Sequence, residues 1–367
     1  MPENQLKILL HDLIAFKSFE PSDINACIDY IDQYLRNAGV RTEVLQNGGL
    51  KTLVAWIGPQ SDKGPNPQIK TIILNAHIDV VRNDPQYFSL KEEGDKLIGP
   101  GIFDMKASAA VLMQLLVELK DSPLPYRIMA QFVPDEEVGG KLGTAHLVEE
   151  GYIGDFLICL EPTHLKLSIQ SKGCLWLEAR FPGKAAHGSR PWLGDSAIEK
   201  AFACYQELLQ LPYIKASSPL FKQATIALTT INGGDSPNKI PDHCTVNFDI
   251  RYLPEQTIEE VMSQITPVLQ KYNATWRETS HGYPVITTPD NPFVQRLFKA
   301  TKAVWPDTII FGQDGSSDAR YYTPVGVPGI EWGPVGGNQH GHDEFIDYPA
   351  LLKFKGILEQ FLRTMVI

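Results

Sequence analysis

The sequence predicts an α/β protein in which a smaller domain is inserted into a discontinuous main domain. Helices and short apolar strands alternate up to about residue 165 and again after about residue 285, which is typical of a mixed, largely parallel sheet flanked by helices. The intervening residues have the order βαββαβ, which is ferredoxin-like. The expected boundaries are 1–168 and 285–367 for the main domain and 169–284 for the inserted domain.

The first part of the main domain begins with two predicted helices. One has an apolar stripe at helical spacing, formed by Leu6, Leu9, Leu10, Leu13 and Ile14. The second covers 23–38 and is expected to end at Gly39. The nearly continuous apolar run IKTIILNAHIDV predicts a strand buried on both faces. The remaining elements predicted here are strands at TEVLQ, TLVAWI, YRIMAQFV and DFLICLE and helices at 105–119 and 141–150.

The inserted domain and the last part of the chain follow. In the insert we predict strands at 169–181, 224–231, 244–252 and 274–280 and helices at 194–211 and 257–271. Thr257 and Glu260 have the spacing of a capping box at the start of the last of these helices. After residue 285 we predict helices at 291–304 and 349–364 and strands at TIIF and PGIEW.

Composition narrows the class of protein. The chain has 367 residues and a formal net charge of -10, which disfavours nucleic acid and anionic membranes as general partners. No apolar run approaches the ~20 residues of a membrane span, and no basic segment precedes an apolar one at the N-terminus. We therefore expect a cytoplasmic protein with no membrane partner. The five cysteines lack CxxC spacing and are expected to be reduced.

Polar residues follow several of the predicted strands. His77 and Asp79 in NAHIDVV lie two apart on an extended chain and so point the same way. Asp104 lies in the glycine-rich turn GPGIFDMK before a helix, and Glu161 ends the strand FLICLEP. Each motif also has a plainer interpretation. His77 could be a histidine satisfied in the core, Asp104 a helix N-cap, and Glu161 the first exposed residue after a strand.

Two further groups complete the candidate chemistry. PDEEVGG sets Glu136 and Glu137 side by side among turn residues, which is also compatible with a solvated turn. NQHGHDEF contains His340 and His342. In an open α/β sheet, ligands bind beyond the carboxyl ends of the strands. Histidine nitrogens and carboxylate oxygens gathered there indicate a site for two divalent ions, usually zinc, with positions open for water and substrate.

The blocks AHIDVV, GPGIFDMK, PDEEVGG, LEP and HGHDE, in this order over essentially the whole chain, resemble the di-zinc aminoacylase and carboxypeptidase family. That family includes succinyl-diaminopimelate desuccinylase, acetylornithine deacetylase, aminoacylase, glutamate carboxypeptidase and tri- and dipeptidases. The resemblance implies a metal-dependent amidohydrolase with two divalent metal ions. Zinc is the expected metal, and cobalt and manganese are alternatives. It also implies that the insert is a lid domain through which two subunits commonly form a homodimer.

The resemblance assigns roles to the polar residues. The implied metal ligands are His77, Asp104, Glu137, Glu161 and His340. Asp104 bridges both ions, with His77 and Glu161 on one and the remaining two ligands on the other. His340 is preferred over His342 because the family pattern places the ligand three residues before an acidic residue, here Asp343.

Two neighbours of these ligands receive catalytic roles by the same resemblance. Asp79 is expected to hydrogen-bond His77 and to fix the tautomer of its ring. Glu136 becomes the general base, which takes a proton from the attacking water and passes it to the leaving amine.

The insert also matches the family. His187 in GKAAHGSRPWLGDSA is implied to donate a hydrogen bond to the developing oxyanion, in the active site of the partner subunit. The implied substrate-binding residues are Lys172, Asn238, Arg251 and Ser316. Arg251 is suited to a bidentate grip on a carboxylate. The plainer interpretations are that His187 is simply packed among small residues, that Arg251 is a surface cation and that Ser316 lies at the start of a helix.

The predicted activity is hydrolysis of the amide of a small N-acyl amino acid, of the desuccinylase or deacetylase type found in amino-acid biosynthesis. The stretch SKGCLW retains Lys172 but has Cys174 where the desuccinylase pattern has serine, so the resemblance does not single out succinyl-diaminopimelate. An exopeptidase acting on short peptides is the alternative enzyme, and a catalytically silent metal-binding homologue is the alternative outside enzymology.

Overall fold

The computed structural model describes residues 2–60, 63–64, 66 and 68–364, with side chains from residue 4 onward. The chain divides into two compact units. Unit 1 comprises Met1–Ile169, Ile286–Phe311 and Ser317–Ile367, and unit 2 comprises Gln170–Val285 and Gly312–Ser316. Residues 312–316, which we expected in the main domain, thus belong to unit 2. There, Asp314 pairs with Lys172 at 2.7 Å, and Gly312 lies against the ring of Phe221 so closely that a Cβ would clash.

Apolar periodicity explains the first part of unit 1. The stripe of α1 is fully buried, as is every residue of β3 and β6. The elements are α1 (Pro2–Ala15), α2 (Pro21–Asn37), β1 (Arg41–Asn47), β2 (Leu50–Ile57), β3 (Thr71–His77), β4 (Lys91–Glu93), β5 (Lys96–Ile98), α3 (Ala107–Leu119), β6 (Arg127–Val133), α4 (Thr144–Glu149), β7 (Phe156–Cys159) and β8 (Leu167–Ser171).

Unit 2 follows in the chain. Its elements are β9 (Gly173–Pro182), β10 (Ala186–His187), α5 (Ala197–Leu208), α6 (Pro212–Lys215), β11 (Thr225–Gly233), β12 (Lys239–Ile240), β13 (His243–Tyr252), α7 (Ile258–Lys271) and β14 (Thr275–Gly282). The four long strands form an antiparallel sheet in the order β11-β13-β9-β14, and α5 and α7 pack apolar residues into its core. The capping box at Thr257 and Glu260 is present.

The chain then returns to unit 1, except that Val285 of β15 and the last two residues of β16 are counted in unit 2. The remaining elements are β15 (Val285–Ile286), α8 (Pro292–Val304), β16 (Ile310–Gln313), β17 (Gly329–Glu331), β18 (Gly336–Gly337), β19 (Phe345–Asp347) and α9 (Tyr348–Thr364). The main sheet has the order β1-β2-β6-β3-β7-β17-β8 and continues into β15 and β16. β3 pairs in parallel with β6 and β7, and β17 with β7, whereas the β1–β2–β6 pairings are antiparallel.

A mixed, partly parallel central sheet flanked by helices confirms the predicted fold class. Within the residues described, the helices are too short or too polar for one of them to traverse a bilayer.

A buried acid in the main sheet makes a testable contribution to stability. Glu331 in β17 accepts a hydrogen bond from Ser317 Oγ at 2.7 Å. Burial raises the pKa of its carboxyl from 4.5 to about 7, although Ser317 and Ser168 lower it by hydrogen bonding. Below pH 4.5 the group is protonated in both the folded and unfolded states. Between 4.5 and 7 the unfolded chain releases the proton first, so folding stability falls as pH rises through this window.

We therefore expect Glu331→Gln to be more stable than wild type at pH 8, by up to about 3 kcal/mol, with the difference disappearing near pH 4.5. A glutamine keeps the two serine contacts, because a hydroxyl can accept as well as donate. Denaturant unfolding across this pH range measures the effect, with exposed Glu149→Gln as the control. A stability difference that does not grow with pH would contradict the assignment.

Candidate metal centre

The parallel strands of unit 1 place the predicted ligands at one edge of the sheet. His77 is the last residue of β3 and lies in register with Val133, the last residue of β6. Glu136 and Glu137 follow β6 three and four residues later, and Glu161 follows β7 by two residues. The carboxyl ends of parallel strands meet at one edge, so side chains far apart in sequence converge there.

Two three-residue clusters form at this edge, and they share Asp104. One contains His77, Asp104 and Glu161, and the other contains Asp104, Glu137 and His340; within each, the candidate ligand atoms all lie within 4.8 Å of one another. Oδ1 of Asp104 is 2.9 Å from Nε2 of His77, whereas Oδ2 is 3.4 Å from Nε2 of His340. Each oxygen of Asp104 thus faces a different cluster, as a bridging carboxylate requires.

The spacing of these atoms fits divalent metal ions. With bond lengths of about 2.0–2.2 Å, ligand atoms of tetrahedral zinc lie about 3.3 Å apart. Nε2 of His340 lies 3.3 Å from Oε1 of Glu137 and 3.4 Å from Asp104; in the other cluster, Nε2 of His77 lies 4.0 Å from Oε2 of Glu161. Oε1 of Glu137 is buried, and no donor in the described part of the chain satisfies it by hydrogen bonding. An unsatisfied buried carboxylate oxygen fits a role as a cation ligand.

Electrostatics also favours cations at this edge. Burial, followed by the charge of Asp104, raises the pKa of Glu161 well above its usual value. For Glu136, burial and then the charge of Asp318 raise the pKa to about 8, while His77 and Arg320 oppose the rise. Crowded carboxylates in a buried site favour neutral forms unless positive charge is supplied. Divalent ions would supply it.

Asp79 contributes differently from our expectation. Nδ1 of His77 lies 3.0 Å from the main-chain oxygen of Asp79 and 3.5 Å from its carboxylate, so the carbonyl is the nearer partner of the ring. The carboxylate of Asp79 instead accepts the amides of Glu136 and Glu137, at 3.2 and 3.0 Å. Asp79 therefore orients both the imidazole and the loop that carries the two glutamates.

The two candidate histidines of the last loop are separated by the structure. His340 points at Asp104 and Glu137, with its backbone in the left-handed region at φ 65°. His342 instead lies against the ring of Tyr87, with centroids 4.8 Å apart. This geometry favours His340 as the ligand.

Glu344 is a site residue to which we assigned no role from the sequence. Its side chain is buried and accepts four backbone amides: those of Gly101, Phe103 and Asp104 before α3, and that of His340. Glu344 thus ties the loop carrying Asp104 to the loop carrying His340. Glu344 is the last residue of the motif HGHDE, but its hydrogen-bond partners lie up to 243 positions away in the sequence, so the sequence pattern does not indicate its role.

We expect Glu344→Ala to lower metal affinity by about 10- to 100-fold, because groups that orient metal ligands typically contribute that much. Competition titration against a zinc chelator measures the affinity. Exposed Glu149→Gln serves as the control and should leave it unchanged. Wild-type affinity in a folded Glu344→Ala protein would show that these four hydrogen bonds do not support the site.

Two of the predicted lid residues are neighbours within unit 2. His187 lies in β10, opposite Lys239 of β12, and Gly188 N donates to the carbonyl of Asn238 at 2.6 Å. The ring of His187 is exposed, and its Nδ1 lies 2.8 Å from the hydroxyl of Ser189. His187 and Asn238 therefore belong to one exposed ribbon, and Nε2 faces away from that hydroxyl contact.

Of the other predicted substrate residues, Arg251 and Lys172 have ionic partners within unit 2, whereas Ser316 does not. Arg251 forms a two-point ion pair with Asp249, at 2.7 and 3.0 Å. Nζ of Lys172 lies 2.7 Å from Asp314 and 5.8 Å from the ring of Phe221. The hydroxyl of Ser316 is buried without a hydrogen-bond partner among the described residues. Lys172 and Ser316 therefore lie in the part of unit 2 that includes the 312–316 segment.

A cavity of about 500 Å³ opens in unit 1 beside Glu137. It is lined mainly by apolar atoms, from residues that include Phe19, Ile24, Val81, Val138 and Leu142. Val138, directly after the glutamate pair, is 85% exposed. Unit 1 thus offers a mostly apolar space next to a candidate metal ligand.

The pattern of residues at this edge has a counterpart among known proteins. The model of peptidase family M20/M25/M40 matches residues 73–364, which run from within β3 to the end of α9 and include every residue of both clusters. The chain belongs to the M20 family of peptidases. As an M20 metallohydrolase it is an amidohydrolase or a peptidase, and the two clusters form its candidate metal site.

Individual known proteins resemble the chain along almost its whole length. A succinyl-diaminopimelate desuccinylase from Legionella pneumophila (strain Paris) is 28% identical over 364 residues, covering 92% of this chain and 93% of the relative. The M20 metallo-carboxypeptidase Sso-CP2 from Sulfolobus solfataricus has a TM-score of 0.80 at 18% identity, covering 98% of each chain. YXEP from Bacillus subtilis, described as a dinuclear metal-binding M20 peptidase, has a TM-score of 0.67 at 18% identity, covering 99% of this chain and 98% of that one.

Proposed function

We propose that this protein hydrolyses the amide bond of an N-acyl amino acid, releasing a carboxylic acid and an amino acid. One observation carries the proposal: Glu136, adjacent in sequence to the candidate ligand Glu137, belongs to neither ligand cluster. A carboxylate beside two metal positions but free of both is suited to proton transfer. The full-length similarity to a desuccinylase favours an acyl amino acid over a peptide.

The ligand set proposed for two divalent ions, with zinc as the expected metal, is His77, Glu161, Glu137 and His340 around a bridging Asp104. When bound, such ions acidify a water molecule and polarise a carbonyl. Glu136 accepts the proton of the attacking water and delivers it to the leaving nitrogen as the amide C–N bond breaks. Asp79 holds the Glu136 and Glu137 amides, so the proton acceptor and the adjacent ligand keep their relative positions.

Unit 2 is proposed as the lid and the dimerisation domain. β11 is an edge strand of its sheet, with residues 229–233 exposed, and Phe202 on α5 is 59% exposed. An exposed edge strand with a nearby apolar side chain favours pairing with a second copy. Lys172, Asn238, Arg251 and Ser316 are the proposed substrate contacts, and His187 the proposed oxyanion donor.

Catalysis by His187 in the partner's site predicts complementation between inactive subunits. We expect mixtures of His187→Ala and Glu136→Gln proteins to regain activity after subunit exchange, because a mixed dimer then contains one site with both groups intact. Turnover is measured against each variant alone, and exchange is verified by a mass-tagged subunit. Exchange without recovery would argue that His187 acts within its own chain or not at all.

A substrate panel tests the proposed function. Metal-loaded protein is incubated with N-acetyl and N-succinyl amino acids, including N-acetylornithine and succinyl-diaminopimelate, and with dipeptides and tripeptides. Free amino acid is quantified in each reaction. Faster release from the N-acyl compounds supports the proposal, whereas faster cleavage of peptides identifies an exopeptidase. No turnover of any member with both ions bound would favour a metal-binding protein without catalysis.

A further inference from the structure

A short turn of unit 1 contacts the loop that carries the proposed general base. The turn is the 3-10 helix Asp318–Tyr321, and we call residues 135–140 the acidic loop. Arg320 Nη1 lies 3.4 Å from Oε1 of Glu136, and the hydroxyl of Tyr321 donates to the carbonyl of Gly139. Two consecutive residues of the turn therefore hold two positions of the acidic loop.

Asp318 makes a third contact with the acidic loop and restricts which residue type can occupy position 140. Its fully buried carboxylate accepts a hydrogen bond from Thr144 Oγ1 at 2.5 Å. A Cβ on Gly140 would lie 2.1 Å from Oδ1 of Asp318, and Gly140 has φ +67°. Only glycine suits a left-handed backbone this close to a neighbour. The acidic loop is thus built to fit against the turn.

The guanidinium of Arg320 connects the turn to Glu136. The Arg320 side chain is 10% exposed, and its guanidinium lies between two carboxylates, with Nη2 3.6 Å from Oδ1 of Asp318 and Nη1 facing Glu136. It also lies over the ring of Tyr321, 4.9 Å from the centroid. Since a guanidinium stays charged at any working pH and offers donors in a planar fork, Arg320 fixes a permanent positive charge beside Glu136.

Glu136 needs such a partner because it is not a metal ligand in either cluster. A metal ligand is held by its ion, whereas a free glutamate has several rotatable bonds and samples many positions. Misplacement of a reacting group by about 1 Å can cost about 100-fold in rate. A buried cation anchored by Asp318 and Tyr321 supplies the missing restraint.

We propose that Arg320 is a positioning residue, which holds the carboxylate of Glu136 for proton transfer, and that Asp318 and Tyr321 hold Arg320. This inference rests on the proposed function of Glu136 as general base. It also gives a role to Asp318, Arg320 and Tyr321, which follow Ser316 closely in the sequence and to which the family resemblance assigned no role.

A double-mutant cycle tests the kinetic part of this proposal. We expect Arg320→Met to lower kcat by about 10- to 100-fold with KM within about threefold of wild type. Arg320→Lys should recover part of the loss because it retains the charge. In a Glu136→Gln background, Arg320→Met should have less than about a threefold further effect, since residues that act as a unit are not additive. Exposed Arg296→Met on α8 is the matched control.

Two outcomes of the cycle would overturn the proposal. A large rise in KM with unchanged kcat would make Arg320 a substrate-binding residue. If the fold-losses in kcat caused by Arg320→Met and Glu136→Gln multiply in the double variant, the two residues act independently and the proposal is wrong. If Arg320→Met does not fold, Tyr321→Phe is the second variant, because it removes the hydroxyl that contacts Gly139 and keeps the ring. That variant should lower kcat by about three- to tenfold, and unchanged kcat would contradict the role of the turn.

A structural measurement separates this inference from the proposed function. In crystals of the metal-loaded protein, the Glu136 carboxylate should occupy one position against Arg320 in wild type, and a displaced position or several positions in Arg320→Met. An unmoved Glu136 would overturn the inference whatever the activity. An ordered, Arg320-dependent Glu136 in a protein that hydrolyses no member of the substrate panel would refute the proposed function alone.

Discussion

Glu136→Gln is expected to reduce turnover by at least about 10²- to 10⁴-fold, the usual contribution of a general base, while both metal ions remain bound. Glutamine has nearly the shape of glutamate but cannot accept the proton of the attacking water. The metal ligands are untouched, because Glu136 belongs to neither ligand cluster. Steady-state kinetics and metal analysis of the same preparation check both parts of the prediction.

The neighbouring glutamate is the matched control for this experiment. Glu137→Gln alters a candidate ligand whose oxygen lies 3.3 Å from Nε2 of His340, so it should weaken metal binding as well as turnover. Loss of an ion from Glu136→Gln with full metal content in Glu137→Gln would mean that the roles of the two glutamates are reversed.

His340→Ala is expected to remove one of the two ions and to abolish most activity. Its Nε2 atom faces both Asp104 and Glu137, and no other histidine belongs to that cluster in the described part of the chain. Groups that only orient metal ligands typically contribute about 10- to 100-fold to metal affinity. Removing the ligand itself should lower the affinity for that ion by a larger factor. Metal content after dialysis should fall from two ions per chain to one.

His342→Ala provides the control, since its ring lies against Tyr87 and its loss should leave metal content and turnover near wild type. The two histidines are two residues apart on one loop, so a general disturbance of the loop would affect both variants alike. Loss of an ion in His342→Ala but not in His340→Ala would contradict the assignment.

Local signals in the sequence were sufficient to predict the fold class and to predict that several polar side chains lie at one edge of the sheet. The apolar run ending at His77 marks a buried strand, and its parallel neighbours end near Glu137 and Glu161. The carboxyl ends of such strands lie at one edge of the sheet. The element order therefore places His77, Glu137 and Glu161 at one edge, whereas the roles of these residues, Asp104 and His340 as ligands were implied by the family resemblance.

The side chains that orient the ligands and Glu136 could not be predicted from local sequence patterns. Arg320 reaches Glu136 across 184 positions, and Glu344 reaches the backbone before α3 across about 240 positions. Arg320 lies in a one-turn 3-10 helix and Glu344 in a loop, and segments this short have no hydrophobic period from which their path can be predicted. The family resemblance assigned Asp79 as a hydrogen-bond partner of His77, but its carboxylate accepts two backbone amides that the sequence pattern does not reveal.

The central claim is that His77, Asp104, Glu137, Glu161 and His340 hold two divalent ions that share Asp104. Anomalous diffraction at the zinc edge, from crystals grown with zinc, tests it most directly. We predict two peaks, one beside His77 and Glu161 and the other beside Glu137 and His340, with Asp104 contacting both. A single peak, or peaks away from these five side chains, would contradict the account.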